Sequence, residues 1–198
     1  KNPEKQFTES LVQLNQFPLS YKWPKELGKK LKSRKELGLP DDSRNIYLIP
    51  MLLFKIHPVF DCVIKGILEK DQCSEIVLIC YNKIEDRIKM RMKRTISSKY
   101  LGRIHFKLPF SRVDYFSALQ LVDVLLETFP FGGGNTVLQS FASKTPIVTL
   151  KGTTLRGSFG TAFYNFIKEP SFIANSIEEY IDLCVKVANN PSIKQRFS

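Results

Sequence analysis

The chain has 198 residues, of which 43% are hydrophobic and 12% aromatic, enough apolar material for one main domain with a sizeable core. Its formal net charge is +11, with Lys and Arg concentrated at 25–35 and 83–99, a balance that suits anionic ligands, although a solvated basic surface is the more frequent origin of such runs. The absence of a signal-peptide pattern and of any apolar run near the roughly 20 residues that span a bilayer excludes membrane and secreted classes and predicts a cytoplasmic protein.

The four cysteines and the first residue of the sequence each support a prediction. No CxxC pair and no histidines at metal-ligand spacing accompany the cysteines, so buried thiols are predicted at Cys62, Cys73, Cys80 and Cys184. The sequence begins at Lys1 within a polar stretch, which we interpret as a fragment of a longer protein.

The chain divides into a polar first part and an alternating second part. Prolines and lysine-rich pieces predict a linker or partial N-terminal segment over 1–44, with one or two helices. Short apolar runs predict strands at 46–49, 75–81, 103–107, 123–126, 146–150 and 172–174. Helical periodicity predicts helices at 58–70, 84–97, 112–121, 135–143 and 161–167, and a capping box at Ser176 and Glu179 begins another. This alternation predicts an α/β domain over 45–198, with a Rossmann-like doubly wound parallel sheet.

A glycine-rich loop follows the fourth predicted strand and leads into a helix. Its last residues are Gly132, Gly133, Gly134, Asn135 and Thr136. Glycines let backbone amides approach a phosphate closely, and the start of a helix favours negative charge. The loop alone supports a phosphate site and a tight turn without function about equally.

Three other loops at the same predicted edge of the sheet carry cations or rings. Lys55 follows the first strand, where it could neutralise a diphosphate, and His57 is a weak candidate for a base. Arg112 and Tyr115 begin a helix after the third strand, where a guanidinium and a ring could hold a flat base. Arg156 lies in the polar loop after the fifth strand. Each also has a simpler interpretation, as a solvated cation, a local helix-start contact or a core-packing ring.

The segments FKIHPVFD, RIHFKLPFSRVDYFSALQLVDVLLETFPF and FPFGGGNTVLQSFASKTPIVTLKGTTLRG occur in this order within 45–189. Together they resemble the C-terminal catalytic half of the O-linked N-acetylglucosamine transferase family, including its SPINDLY-type and bacterial relatives. The resemblance implies the nucleotide-sugar-binding half of a GT-B glycosyltransferase. Such an enzyme transfers a sugar from UDP-GlcNAc or a UDP-hexose to a protein or glycan acceptor, with inversion and without a metal or other cofactor. It also implies a partner half, N-terminal in the same polypeptide, where this family carries tetratricopeptide repeats.

The resemblance also assigns roles to individual positions. It places Lys55 on the diphosphate as the catalytic side chain, and Arg112 and Tyr115 beside the uracil. The expected UDP-sugar site comprises Lys55, Pro109, Arg112, Tyr115, Gly132, Gly133, Gly134, Asn135, Thr136, Gln139 and Arg156.

The sequence departs from the family pattern at several of these places. Leu52 and its neighbours stand where a glutamine is usual, and Gln139 replaces an acidic residue that accepts hydrogen bonds from the ribose. Glutamine can still accept through its carbonyl, without charge assistance. Gly134, Lys151 and Ser158 stand where a histidine, a proline and an arginine are found in other members. The departures keep two alternatives open: a non-catalytic nucleotide- or polyanion-binding module of the same fold, and a nucleic-acid-binding surface on the lysine-rich stretches.

Overall fold

The computed structural model describes residues 7–12, 20–28, 32–80, 84–107 and 109–197. Its centre is a parallel sheet in the order β3-β2-β1-β4-β5-β6. The strands are β1 (Asn45–Ile49), β2 (Ser74–Ile79), β3 (Ile104–Lys107), β4 (Val124–Leu126), β5 (Ile147–Leu150) and β6 (Ile173–Ala174).

Helices connect the strands and cover the sheet. They are α1 (Phe60–Lys70), α2 (Glu85–Thr95), α3 (Ser98–Leu101), α4 (Arg112–Leu121), α5 (Asn135–Ala142), α6 (Phe159–Phe166), α7 (Ile177–Ala188) and α8 (Pro191–Phe197). Short 3-10 turns lie at Lys25–Gly28, Leu53–Lys55, Leu155–Gly157 and Pro170–Phe172. Because parallel crossovers are right-handed, α1 and α2 lie on one face of the sheet and α5 and α6 on the other.

The predicted doubly wound α/β fold is confirmed, with small differences at the ends of elements. The helix predicted at 84–97 ends at Thr95, and a separate short helix, α3, follows it. The helix α8 was not predicted. It begins at Pro191, since a proline fits the first turn of a helix. The second strand, predicted at 75–81, ends at Ile79, so its extension to Cys80 is wrong, and Tyr81 lies outside the described residues.

After their polar first residues, the central strands are continuously hydrophobic, because helices cover both faces of the sheet. Ile46–Ile49 in β1 and Ile76–Ile79 in β2 have no exposed surface. Strands of this kind show continuous hydrophobic runs instead of alternation, which is why the sequence pattern located them.

The prediction of buried thiols holds for two cysteines and is wrong for the other two. Cys80 and Cys184 are buried, whereas Cys62 and Cys73 are exposed, and all four are free thiols. Cys62 lies on α1 between buried neighbours but on the outward side of the helix, and Cys73 lies in the turn that precedes β2. Apolar sequence neighbours therefore did not determine on which side these two side chains lie.

Part of the segment before residue 45 packs against the domain. Leu37 and Leu39 belong to the hydrophobic core, and Arg34 is 8% exposed. The Arg34 guanidinium donates to Leu121 O at 2.8 Å and pairs with Asp123 at 3.1 Å. A domain boundary at residue 45 stays a prediction, and these contacts show that residues 34–39 are anchored to the sheet.

The point where the winding direction reverses lies between β1 and β4. The chain adds β2 and β3 on one side of β1, then crosses back to place β4 on the other side and continues to β5 and β6. Loops leaving β1 and β4 therefore diverge, and in open parallel sheets the crevice between such loops is where ligands bind. Among the described residues, no helix is long and apolar enough to cross a membrane.

Candidate functional site

A cleft of about 400 Å³ opens at the carboxyl edge of the sheet, next to this reversal point. The loop after β1, the start of α4 and the start of α5 form its walls. It is lined by Pro50, Leu52, Phe110, Arg112, Tyr115, Asn135, Thr136 and Gln139. The structure thus brings together five residues predicted for the nucleotide site, although they come from separate parts of the chain.

Two of these residues are linked directly across the cleft. The Tyr115 hydroxyl on α4 donates a hydrogen bond to Gln139 Oε1 on α5 at 2.9 Å. The carbonyl of Gln139, which was expected to accept from a ribose, therefore already accepts from Tyr115, and its NH₂ group is a donor for a ligand. Arg112 has a mostly exposed side chain, and its Nε pairs with Glu26 Oε1 at 2.9 Å.

The first amides of the glycine-rich loop donate hydrogen bonds to acceptors within the protein. Gly132 N donates to Arg156 O at 2.9 Å, and Gly133 N donates to Glu127 Oε1 at 2.8 Å. The first amides of a helix have no acceptor within the helix, so the donors at the start of α5 that can act on a ligand lie from Gly134 to Thr136. A Cβ built on Gly134 meets nothing within 4 Å, which leaves this corner of the loop open.

Lys55 lies in a second cleft, of about 460 Å³, on the other side of the loop after β1. Its Nζ is 4.4 Å from the centroid of the Phe131 ring, and the Arg156 guanidinium is 5.6 Å from the same ring. Phe131 thus holds two cations beside the glycine-rich loop through cation–π contacts. Burial lowers the pKa of Lys55, and the nearby charge of Glu127 opposes that shift.

The loop after β5 packs tightly against the glycine-rich loop. Arg156 O accepts from Gly132 N, and a Cβ on Gly157 would lie 2.7 Å from Pro130 O. Thr154 Oγ1 accepts from Gly157 N at 3.3 Å, which closes the turn. This packing places Arg156 over Phe131.

Gly152 offers a test of that packing, because a Cβ there would lie 2.1 Å from Gly157 O. Backbone cannot yield as a flexible side chain does, so we expect Gly152→Ala to destabilise the protein by about 1–3 kcal/mol, as overpacking does. Gly102→Ala is the control, since nothing lies within 4 Å of its Cβ. Chemical denaturation measures both, and equal stability of the two variants would contradict the tight loop–loop contact.

Apart from Pro109, the predicted residues fall into three groups. Arg112, Tyr115, Asn135, Thr136 and Gln139 line the first cleft, with Gly134 at the helix start, whereas Lys55 and Arg156 flank Phe131 beside it. Gly132 and Gly133 are buried and hold the loop in place. Pro109 is exposed, and the wall of the cleft is made by Phe110, the next residue.

Sequence reasoning missed the residues that support the site from below and beside it. Glu127 is 2% exposed and lies under the glycine-rich loop, and burial raises its pKa to about 7. In the sequence, Glu127 could have been recognised as an acidic residue between an apolar strand and a run of glycines. Phe131 and Glu26 carried no such signal, because their partners are distant in sequence.

Comparison with known proteins agrees with this architecture. The sequence model of glycosyl transferase family 41 matches residues 19–198. A probable UDP-N-acetylglucosamine–peptide N-acetylglucosaminyltransferase SPINDLY of Hordeum vulgare is 27% identical over 122 residues, which are 60% of this chain and 13% of the relative. The SPINDLY protein of Petunia hybrida is 27% identical over 77 residues, 39% of this chain and 8% of its own length. The chain thus spans only a small part of the curated relatives that it matches.

Solved structures share the fold. A mutant O-GlcNAc transferase of Thermobaculum terrenum superimposes with a TM-score of 0.81 at 22% identity, over 98% of this chain and 36% of that one. The UDP-GlcNAc 2-epimerase of Neisseria meningitidis, bound to UDP-GlcNAc, superimposes with a TM-score of 0.56 at 10% identity, over 83% of this chain and 41% of that one. The Rossmann-like half of a GT-B glycosyltransferase is therefore confirmed as the fold. Because the family model covers nearly all of the sequence, the chain belongs to glycosyl transferase family 41.

Proposed function

We propose that this chain binds a UDP-sugar and forms the donor-binding part of a glycosyltransferase. The observation that carries the proposal is the pairing of two anion-binding features at the reversal point of the sheet. Lys55 follows β1, and the start of α5, with its open corner at Gly134, follows β4. β1 and β4 are neighbours in the sheet, so both features lie at the same edge of the sheet, in adjoining clefts.

The diphosphate would lie between these two features. Backbone amides of α5 and the ammonium group of Lys55 favour negative charge, which increases on the departing UDP as the bond to the sugar breaks. Preorganised donors of this kind stabilise the transition state more than the ground state. Inversion at the sugar and independence of a metal belong to the proposal through the family resemblance.

The nucleoside would occupy the first cleft. The Tyr115 ring and the Arg112 guanidinium offer flat surfaces to a uracil, and the Gln139 amide can donate to ribose oxygens. The hydrogen bond between Tyr115 and Gln139 fixes the orientation of that amide. The acceptor, either protein or glycan, would approach the sugar from a further half of the enzyme, and a cytoplasmic location completes the proposal.

Tyr115→Phe tests the nucleoside part, because it keeps the ring and removes only the hydroxyl. Without this bond the Gln139 amide must be ordered when UDP binds, at a cost of about 0.5–1.5 kcal/mol, which predicts roughly a two- to tenfold weaker affinity for UDP. Tyr100→Phe on α3, at the far edge of the sheet, is the control. Calorimetric titration measures both variants, and unchanged affinity in Tyr115→Phe would place this pair outside the nucleotide site.

Competition separates this proposal from its two alternatives. The basic stretches are a weaker candidate for nucleic-acid binding, since Arg34, Lys32 and Arg91 pair with acidic residues of the same chain. Under our proposal, unlabelled UDP displaces a fluorescent UDP-sugar, whereas RNA displaces it poorly at moderate salt. Displacement by RNA alone, with a steep salt dependence, would support a nucleic-acid surface. A non-catalytic module would bind UDP equally well but would transfer no sugar in the full-length protein.

A further inference from the structure

Glu127 is a buried carboxylate without a fixed cationic partner in the described part of the chain. It directly follows β4, and it is 2% exposed. Its Oε1 accepts the hydrogen bond of Gly133 N at 2.8 Å. The ion pairs recorded for the described residues do not include Glu127, and Lys55 acts on it only through its electrostatic field. A buried charge in this situation is costly, so its presence calls for a role.

Two glycines make room for this carboxylate. A Cβ on Gly132 would lie 2.6 Å from Oε1, and a Cβ on Gly160 would lie 2.1 Å from Oε2. The second glycine lies on α6, and Thr149 Oγ1 of β5 borders the same space, since it would lie 2.7 Å from the Gly160 Cβ. The glycine-rich loop, β5 and α6 are therefore all shaped around the Glu127 side chain.

Of the titratable groups around Glu127, Lys55 is the charged one that a bound anionic ligand would engage. Two tyrosines are among these groups. The Tyr180 hydroxyl on α7 donates a hydrogen bond to Glu127 O at 3.0 Å, and Tyr164 is a buried residue of α6. Burial raises the pKa of both tyrosines well above 10, so neither ionises near neutral pH. Cys184, beside Tyr180, likewise has a pKa well above its usual value because it is buried. Burial raises the pKa of Glu127 to about 7, and hydrogen bonding by Thr149, Gly133 and Gly160 together with the charge of Lys55 opposes that shift.

We propose that Glu127 is a positioning residue for donor binding: it holds the glycine-rich loop through Gly133 N and becomes more fully protonated from solvent when a diphosphate binds at Lys55. The inference rests on the proposed function. A bound diphosphate adds negative charge near the carboxylate and engages the cation that stabilised it, and both effects favour the neutral acid. The acid still accepts from Gly133 N through its carbonyl oxygen, and its O–H then faces Thr149. The loop therefore keeps its position in both protonation states.

The test measures proton uptake together with binding. UDP-GlcNAc is the probe, because neither of its phosphates is a terminal monoester and so neither titrates near pH 6 as a monoester does. Calorimetric titrations run from pH 6 to 8.5 in two buffers that differ in protonation enthalpy. For the unmodified chain we expect uptake of a fraction of a proton, and an affinity that falls with rising pH by about tenfold for each unit by which the ligand raises the pKa.

Two variants test whether Glu127 is the group that takes up the proton. Glu127→Gln keeps the acceptor for Gly133 N, so we expect it to bind UDP-GlcNAc with no proton uptake and with an affinity that does not change over this pH range. His57→Gln removes the imidazole at the rim of the Lys55 cleft and should retain the pH profile of the unmodified chain. A merely structural role of Glu127 would lower stability or affinity without removing the linked proton.

The outcomes separate this inference from the proposed function. If the unmodified chain binds no UDP-GlcNAc at any pH, the proposed function fails. If it binds and Glu127→Gln takes up the same number of protons, the role of Glu127 is overturned. If that variant does not fold, carbon-13 NMR of the Glu127 carboxyl in the unmodified chain decides, since its titration midpoint must rise on binding and an unchanged midpoint contradicts the proposal.

Discussion

Lys55→Ala is expected to weaken UDP binding by about 1.5–3 kcal/mol, roughly 10- to 150-fold. The lost interaction is a charge-assisted hydrogen bond to the diphosphate, made by an ammonium group that is already partly withdrawn from water beside Phe131. Withdrawal from water makes such a bond stronger than one at the open surface. Calorimetric titration with UDP at moderate ionic strength gives the affinity of each variant.

A matched control removes the same charge far from the site. Lys186 is exposed near the end of α7, and the next residues of the chain approach the opposite edge of the sheet, where Asn189 contacts Asn45 at the start of β1. Lys186→Ala should therefore keep the UDP affinity of the unmodified chain, apart from a small effect of net charge. Equal losses in the two variants would mean that Lys55 acts through overall charge and makes no contact with the diphosphate.

The raised pKa of Glu127 predicts that the free energy of unfolding depends on pH, by an amount comparable to the effect of Lys55→Ala on binding. Its folded pKa of about 7 lies above its ordinary value of 4.5, so the folded state binds more protons between these values. Stability from this group is therefore complete below about pH 4.5 and decreases as the pH rises to about 7. Above that pH the unfavourable contribution is about 3 kcal/mol, from 1.36 kcal/mol for each pKa unit.

The difference between Glu127→Gln and the unmodified chain isolates this contribution. Because Gln stays neutral, we expect the variant to gain about 2.5 kcal/mol on the unmodified chain between pH 5 and pH 8, since part of the full effect falls outside this window. Urea denaturation at pH 5, 6, 7 and 8 measures the difference. Glu178→Gln, which removes an exposed carboxylate on α7, controls for the change in net charge. Parallel curves for Glu127→Gln and the unmodified chain would show that the carboxylate is not held neutral by burial.

The fold was predictable from the sequence because its signals are local. Continuous apolar runs such as those of β1 and β2 occur where both faces of a strand are covered, and helical periodicity fills the segments between them. Once the strands are known to be parallel, the loops at their carboxyl ends must share one edge. The cleft formed by Tyr115, Thr136 and Gln139 follows from that topology.

The supporting contacts were not predictable, because they join residues that are distant in sequence. Gly132 and Gly133 look like phosphate ligands in the sequence, but their amides are taken by Arg156 O and Glu127. Part of the space for the buried carboxylate of Glu127 is left by Gly160, 33 positions later. No periodicity or motif records such a meeting, so a motif identified the loop but could not tell which of its amides are free to bind a ligand.

Calorimetric titration of the chain with UDP and, in parallel, with UMP at moderate salt tests the central claim most directly. If Lys55 and the start of α5 hold a diphosphate, UDP must bind more tightly than UMP, because only UDP carries the second phosphate to that crevice. Equal affinities for the two nucleotides, or no binding of either, would contradict a diphosphate site at the junction of β1 and β4.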